Sequence, residues 1–347
     1  MIQSINEALA TVLEERGLDG RTCYTRLSAL PPDGWTVELE CSDAGVADEL
    51  AARLRFAGDE ARRFRVAKLP APGTPAAMIV TSSVADVRRA PSHPSELVSQ
   101  AVMGDRVAAQ KIDGDWVLVR LDDGYIGWIR SWHVVETTPE RIDSFEHRAE
   151  YRIAVNHSEA LSGPSESSLP VSDLVVGTPV AVTGTAQGEW LPVELPDGRA
   201  GFVRASHLEK RTVRRSLSRD RLTATGLRFL GIPYLWGGST PKGFDCSGLI
   251  QRIFRLHGLI LPRDSDMQAL FGAERKVTTL DDLVPGDLLF FGREAQRITH
   301  VGMALADRTF LHAYGQVRIN SLDPAHPLYN PNLSRIWRGA RDPLAGV

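Results

Sequence analysis

The chain holds only three cysteines, and one of them, Cys246, stands in "GFDCSGLIQRIFRLHGL", residues 243–259, at the head of an amphipathic run. Leu249, Ile250, Ile253, Phe254 and Leu256 recur at spacings that give one broad apolar helical face, and Gly258 supplies a stop. Cys246 then falls in the first turn, beside the capping candidates Asp245 and Ser247. Unpaired amides and the positive end of the helix dipole favour a thiolate there, so a thiol pKa lowered toward neutrality is expected. The same amides can donate to a developing oxyanion. A cysteine nucleophile also needs a base, normally a histidine supplied by the fold. His300 opens "HVGMALA" and His312 lies in "FLHAY". An antiparallel hairpin turning near residue 306 or 307 puts both on one face, where one imidazole takes the thiol proton and the other orients it. A Cys-His-His zinc site is the rival for these residues, but no C-x-x-C, H-E-x-x-H or H-x-E pattern accompanies them. His257 is at the wrong end of the helix to serve.

The elements that must position these groups follow from patterning. "SLSRDRLTATGLRFLGIPY" places Leu217, Leu222, Leu227 and Leu230 on a helix ended by Gly231 and Pro233, and "DLLFF", "HVGMALA" and "FLHAY" read as strands. Helices followed by strands imply an α+β catalytic domain over 216–347. Upstream, "GDWVLVRLDDGYIGWI" from Gly114 aligns without a gap on "GEWLPVELPDGRAGFV" from Gly188. Each copy alternates, breaks at Asp-Gly and resumes, as a hairpin does. Two small all-β barrels are expected, over 80–136 and 146–210. The first carries Tyr125 and Trp128 where the second has Arg199 and Phe202, an aromatic pair suited to recognition. Residues 1–75 mix helix and strand patterns as a small α+β unit that ends at "PAPGTPAA", a linker or strap. The basic run "KRTVRRSLSRDR", 210–221, reads as a solvated linker and helix start.

Composition narrows the function. Forty Lys and Arg against 43 Asp and Glu leave a formal charge of -3, which argues against nucleic acid as a partner. No uncharged apolar run approaches the roughly 20 residues of a membrane span, so no membrane insertion is expected. "MIQSINEALATVLEERGLDG" is patterned as an amphipathic helix and not as an export signal. Cys23, Cys41 and Cys246 are not a disulfide framework; Cys23 and Cys41 can pair if their strands are adjacent but read first as two small buried residues, and a cytoplasmic location is expected.

"YLWGGSTPKGFDCSGLIQRIF", "PRDSDMQ", "PGDLLFF" and "HVGMAL...FLHAYG", in that order, resemble the NlpC-type, papain-like cysteine peptidases of bacterial cell-wall metabolism over about 216–347. The repeated hairpins look like the bacterial SH3-like barrels found beside such enzymes. The likeness implies Cys246 as nucleophile, His300 as general base and acid, His312 as the orienting group, and no metal or cofactor. The order of domains is similar to a narrower group, the γ-D-glutamyl-L-diamino acid endopeptidases or dipeptidyl-peptidase VI. These act on murein peptides with a free N-terminal L-Ala and release L-Ala-γ-D-Glu. From that group, substrate contacts carry over to Tyr234, Asp245, Ser247 and Ser265, and, from the first barrel, to Tyr125 and Glu96. A free ammonium needs a carboxylate, which Asp245 or Glu96 can supply; Asp245 also reads as a simple helix cap. The expected partner is a murein-derived peptide, with L-Lys or meso-diaminopimelate left open at its third position. An amidase or acyltransferase on the same scaffold, and a cell-wall-binding protein with a vestigial catalytic domain, are the competing readings.

Overall fold

The computed structural model describes residues 2–27, 36–56, 63–211, 217–294 and 297–346. Part of the expected strand "TCYTRLSAL", the tryptophan of "WTVELECS" and residues 212–216 of the basic linker lie outside the described residues.

At the N-terminus, helices α1 (Ile2–Glu15) and α2 (Ala44–Phe56) pack with strands Thr25–Leu27, Thr36–Cys41 and Arg63–Lys68. The second and third strands are parallel, because α2 carries the chain back across the sheet. Cys23 and Cys41 are buried free thiols in this unit's core, with Val12, Val46 and Leu50. "PAPGTPAA" is a strap and not a free linker: the Leu69 amide is bonded to Cys41 and the Ala71 amide to Gln110 of the first barrel.

Two seven-stranded antiparallel sheets follow, and the sequence repeat is kept in register. Trp116 pairs with Arg130 and Trp190 with Arg204, while Gly124 and Gly198 take φ of 84° and 88° in matching turns. An aspartate-glycine turn needs that left-handed residue, and glycine adopts it without a Cβ penalty. Helix α3 (Pro139–Arg148) joins the two sheets, capped by Thr138 with Pro139 in its first turn and with Ile142 and Phe145 buried. Trp128 corrects the expected recognition pair: it is 1% exposed, packed with Leu69 and Leu118 and edge-on to Tyr24 of the N-terminal unit. Its large apolar area is spent on docking two units together.

The C-terminal unit is α+β. Helix α4 (Arg219–Leu227) stops earlier than the leucine pattern predicts, since Leu227 and Leu230 are 41% and 44% exposed while Leu222 and Phe229 are buried. After α5 (Cys246–Arg255) and the short α6 (Ser265–Gln268) comes a six-stranded sheet, completed by α7 (Pro331–Ile336) before its last strand. Strand Leu288–Phe291 pairs with His300–Ala304, which pairs in turn with Thr309–Tyr314 and that with Gln316–Ser321. The apolar face of α5 is the centre of this core: Leu249, Ile250, Ile253 and Phe254 are fully buried against Val301, Met303 and Leu311. Each such side chain contributes about 1.5–3 kcal/mol of burial, which seats the start of α5 beside the histidine strands.

The first barrel is locked onto this unit from two sides. Gln100 accepts from the Ser239 amide and the Thr240 hydroxyl, and Arg255 on α5 pairs with Asp105 and Asp122. The backbone at Gly237 passes so close that a Cβ there would meet the Leu97 carbonyl oxygen at 2.3 Å. With φ of 73°, this position admits glycine in both respects.

Candidate active site

Cys246 is the first residue of α5. Asp245 is the cap, accepting from the Gly248 amide at 2.6 Å. The thiol is 8% exposed and borders two cavities. Its pKa contradicts the expected fall toward neutrality. Burial, then the Asp245 carboxylate, push the thiol up to about 12, against the opposing pull of the Val301 and Ser247 amides. A helix start lowers a thiol pKa when it is solvated; here desolvation of the anion outweighs the dipole. The proton must therefore leave to a base as the sulfur reacts.

His300 and His312 share one face of their hairpin, which turns at residue 307 as the pairing of Met303 with Leu311 requires. His300 Nε2 lies 2.8 Å from His312 Nδ1, and His312 Nε2 lies 2.9 Å from Asn320 Oδ1. Asn320 Nδ2 donates to the Leu328 carbonyl, so the Asn320 oxygen must face His312. From there each tautomer follows. His312 carries its proton on Nε2 and accepts on Nδ1, His300 donates from Nε2, and His300 Nδ1 keeps its lone pair. Burial lowers both imidazoles, His300 to about 3 with help from His312, and His312 to about 4. Both are neutral near pH 7. His312 is fully buried with both ring nitrogens engaged, which leaves none to ligate a metal. Cys246 and His300 border the same cavity of about 680 Å³ without a direct hydrogen bond among the described residues. Such contacts commonly tighten only when substrate arrives. Asn320 was missed by sequence reasoning, since only the register of the Gln316–Ser321 strand distinguishes it from other polar strand residues.

The second cavity, about 430 Å³, is bordered by Cys246 and by all six expected substrate residues: Tyr234, Asp245, Ser247, Ser265, Tyr125 and Glu96. Tyr234 borders both cavities, and burial together with Cys246 holds its phenol protonated.

Comparison with known proteins places this geometry. The model of the NlpC/P60 family matches residues 231–338, and that of the bacterial dipeptidyl-peptidase SH3 domain matches 87–134, within the first barrel. Dipeptidyl-peptidase 6 of Lysinibacillus sphaericus is 29% identical over 74% of this chain and 95% of its own length. A γ-D-glutamyl-L-lysine dipeptidyl-peptidase of Bacillus subtilis is 32% identical over 62% of this chain and 71% of that one. The chain belongs to the NlpC/P60 family. The crystal structure of an NlpC/P60 family protein from Bacillus cereus shares the fold, with a TM-score of 0.65 at 24% identity over 77% of this chain and 99% of that one. The present protein is accordingly an NlpC/P60 cysteine peptidase.

The electrostatics of the smaller cavity in this peptidase correct one expectation and add residues. Asp245 is not open to a substrate ammonium. Oδ1 accepts from Gly248, Ser247 and Arg263, and Oδ2 from the Gly237 amide and from Arg263 at 2.6 Å. It is a cap and a counter-ion, because a buried guanidinium cannot remain unpaired. Arg263 is itself fully buried and also donates to Ser99 of the first barrel and to Ser247. Glu96 accepts from Arg89 and from Trp236, and the Arg89 bond keeps it ionised. Tyr125 reaches Asp264 at 3.1 Å, and Arg21 of the N-terminal unit bonds both Asp264 and Asp266. Asp264, Asp266 and Arg21 border the cavity and were not foreseen. The two aspartates flank Ser265 in "PRDSDMQ", a signal available in the sequence; Arg21, some 240 residues away, offered none.

Proposed function

We propose that this NlpC/P60 peptidase hydrolyses the γ-D-Glu to diamino acid bond of murein peptides with a free N-terminal L-Ala, releasing L-Ala-γ-D-Glu for recycling in the cytoplasm. The observation that carries this reading is the closure of one side of Cys246 by the first barrel. Tyr125 and Glu96 stand there with Asp264 and Asp266 in one small cavity. A cavity bordered by Glu96, Val98 and Tyr125 of the first barrel suits a short N-terminal segment. The part-exposed Glu96 carboxylate, kept ionised by Arg89, suits an ammonium in place of the saturated Asp245. The relatives named for γ-D-glutamyl-L-lysine dipeptidyl-peptidase activity support the same reading.

In this mechanism His300 Nδ1 takes the Cys246 proton as the sulfur attacks the γ-carbonyl carbon. The amides at the start of α5 and the Tyr234 hydroxyl are the donors for the oxyanion. His300 returns the proton to the departing α-amine, leaving a thioester. A water that gives its proton to His300 then cleaves the thioester and restores the thiol. Incubation with L-Ala-γ-D-Glu-L-Lys, its meso-diaminopimelate counterpart and their N-acetylated forms tests the reading. Cleavage of free-amine peptides alone, abolished in Cys246→Ala, is expected. Equal cleavage of the acetylated forms sinks the N-terminal specificity, and transfer of the acyl group to an added amine in preference to water identifies an acyltransferase.

A further inference from the structure

Among the described residues, three border both cavities: Tyr234, Cys246 and Thr299. A bond cleaved by Cys246 lies where the cavities meet, so these three stand around the reacting carbonyl. Cys246 is the nucleophile and Tyr234 donates to the oxyanion, which leaves Thr299 without a role. Its place is fixed. The Thr299 amide donates to the Phe291 carbonyl at 2.9 Å, directly ahead of His300, and two residues further on the Val301 amide bonds the Cys246 sulfur. The Thr299 side chain is exposed, and its hydroxyl has no partner among the described residues.

The second half of the reaction needs such a group. A water attacking a thioester has two hydrogens to place. His300 receives one of them on Nδ1, because its Nε2 is committed to His312. An acceptor for the other hydrogen keeps the water's lone pair aimed at the carbonyl carbon, and orientation of this kind is where an enzyme gains over bulk water. Other side-chain oxygens bordering the larger cavity are less suited. Asn330 Oδ1 accepts from the Leu333 amide at 3.1 Å and Asn332 Oδ1 from Arg335 at 3.5 Å, while Tyr314 borders the larger cavity alone.

We propose that Thr299 holds the water that cleaves the thioester. The inference rests on the peptidase reading above: with the acyl portion in the smaller cavity, the departing amine vacates the larger one, which Thr299 and His300 both border. A water entering there donates one hydrogen bond to Thr299 Oγ1 and the other to His300 Nδ1. His300 takes the proton on its side as the water oxygen bonds to the acyl carbon. The carbon–sulfur bond then breaks with its electron pair going to sulfur, and His300 returns the proton to the thiolate. Thr299 keeps its own proton throughout and acts by orientation.

The test measures how the acyl-enzyme divides between water and hydroxylamine. Wild type, T299V and T299S are given L-Ala-γ-D-Glu-L-Lys or its meso-diaminopimelate counterpart, whichever wild type cleaves faster, and the dipeptide acid and its hydroxamate are counted. T299V keeps the shape of the side chain and loses one hydrogen bond to the water, so the hydroxamate-to-acid ratio should rise about fivefold or more. Its kcat/KM, which reports the steps through acylation, should stay within about threefold of wild type. T299S should restore the wild-type ratio. The side chain is exposed, so both variants should fold. A ratio unchanged in T299V, or one that T299S fails to restore, overturns the inference while leaving the peptidase reading intact. Cleavage of neither peptide by wild type overturns both.

Discussion

His300 Nε2 is held 2.8 Å from His312 Nδ1, and this contact dictates which nitrogen of His300 is left as a base. The chain from the Leu328 carbonyl through Asn320 and His312 runs in one direction, so His300 Nδ1 emerges with its lone pair free.

Asn320 therefore acts through His312, and its removal should be visible in kcat. Asn320→Ala is expected to lower kcat by about 10- to 100-fold with little change in KM, because His312 can then adopt the other tautomer. Asn320→Asp keeps an acceptor and should retain most activity, while its charge favours the imidazolium and moves the acid limb of the pH profile upward. An unchanged kcat in Asn320→Ala would show that the orienting chain ends at His312.

The Cys246 thiol, pushed up to about 12, and His300, pushed down to about 3, describe a neutral pair. Below a thiol's pKa the thiolate fraction grows about tenfold per pH unit. Alkylation of Cys246 by iodoacetamide should thus climb steadily from pH 6 to 9. A flat rate over that interval would mean a preformed thiolate-imidazolium pair.

Arg263 is fully buried, and both of its terminal nitrogens bond Asp245. Arg263→Met leaves the cap of α5 as an uncompensated buried carboxylate and should cost about 3–5 kcal/mol in urea unfolding. Asp245→Asn added to Arg263→Met should recover part of that loss. Equal stability of wild type and Arg263→Met would show that water solvates Asp245.

Arg21 reaches the smaller cavity from outside the matched family regions, neutralising Asp264 and Asp266. Its partly exposed pairs are worth about 1 kcal/mol or less each, so Arg21→Ala should leave folding nearly intact. The expected effect is a rise in KM of about 3- to 10-fold for the free-amine tripeptide at nearly constant kcat, as two freed carboxylates disturb the alignment of Tyr125 and Ser265. Steady-state kinetics with matched thermal melts separate the two effects.

Much of this protein is written in short windows of sequence. The helical period after Cys246, the Asp-Gly turns repeated 74 residues apart and the even spacing of His300 and His312 are local patterns. Backbone geometry turns such patterns directly into a helix start, two hairpins and a shared strand face. The protonation state of Cys246 was not legible, because desolvation depends on the whole core closing over it. Nor were the saturation of Asp245 by Arg263, the contact of Asn320 with His312, or the meeting of Tyr125 and Arg21 at Asp264. Those depend on strand register and on the docking of separately folded units, where side chains far apart in sequence compete for the same few lone pairs.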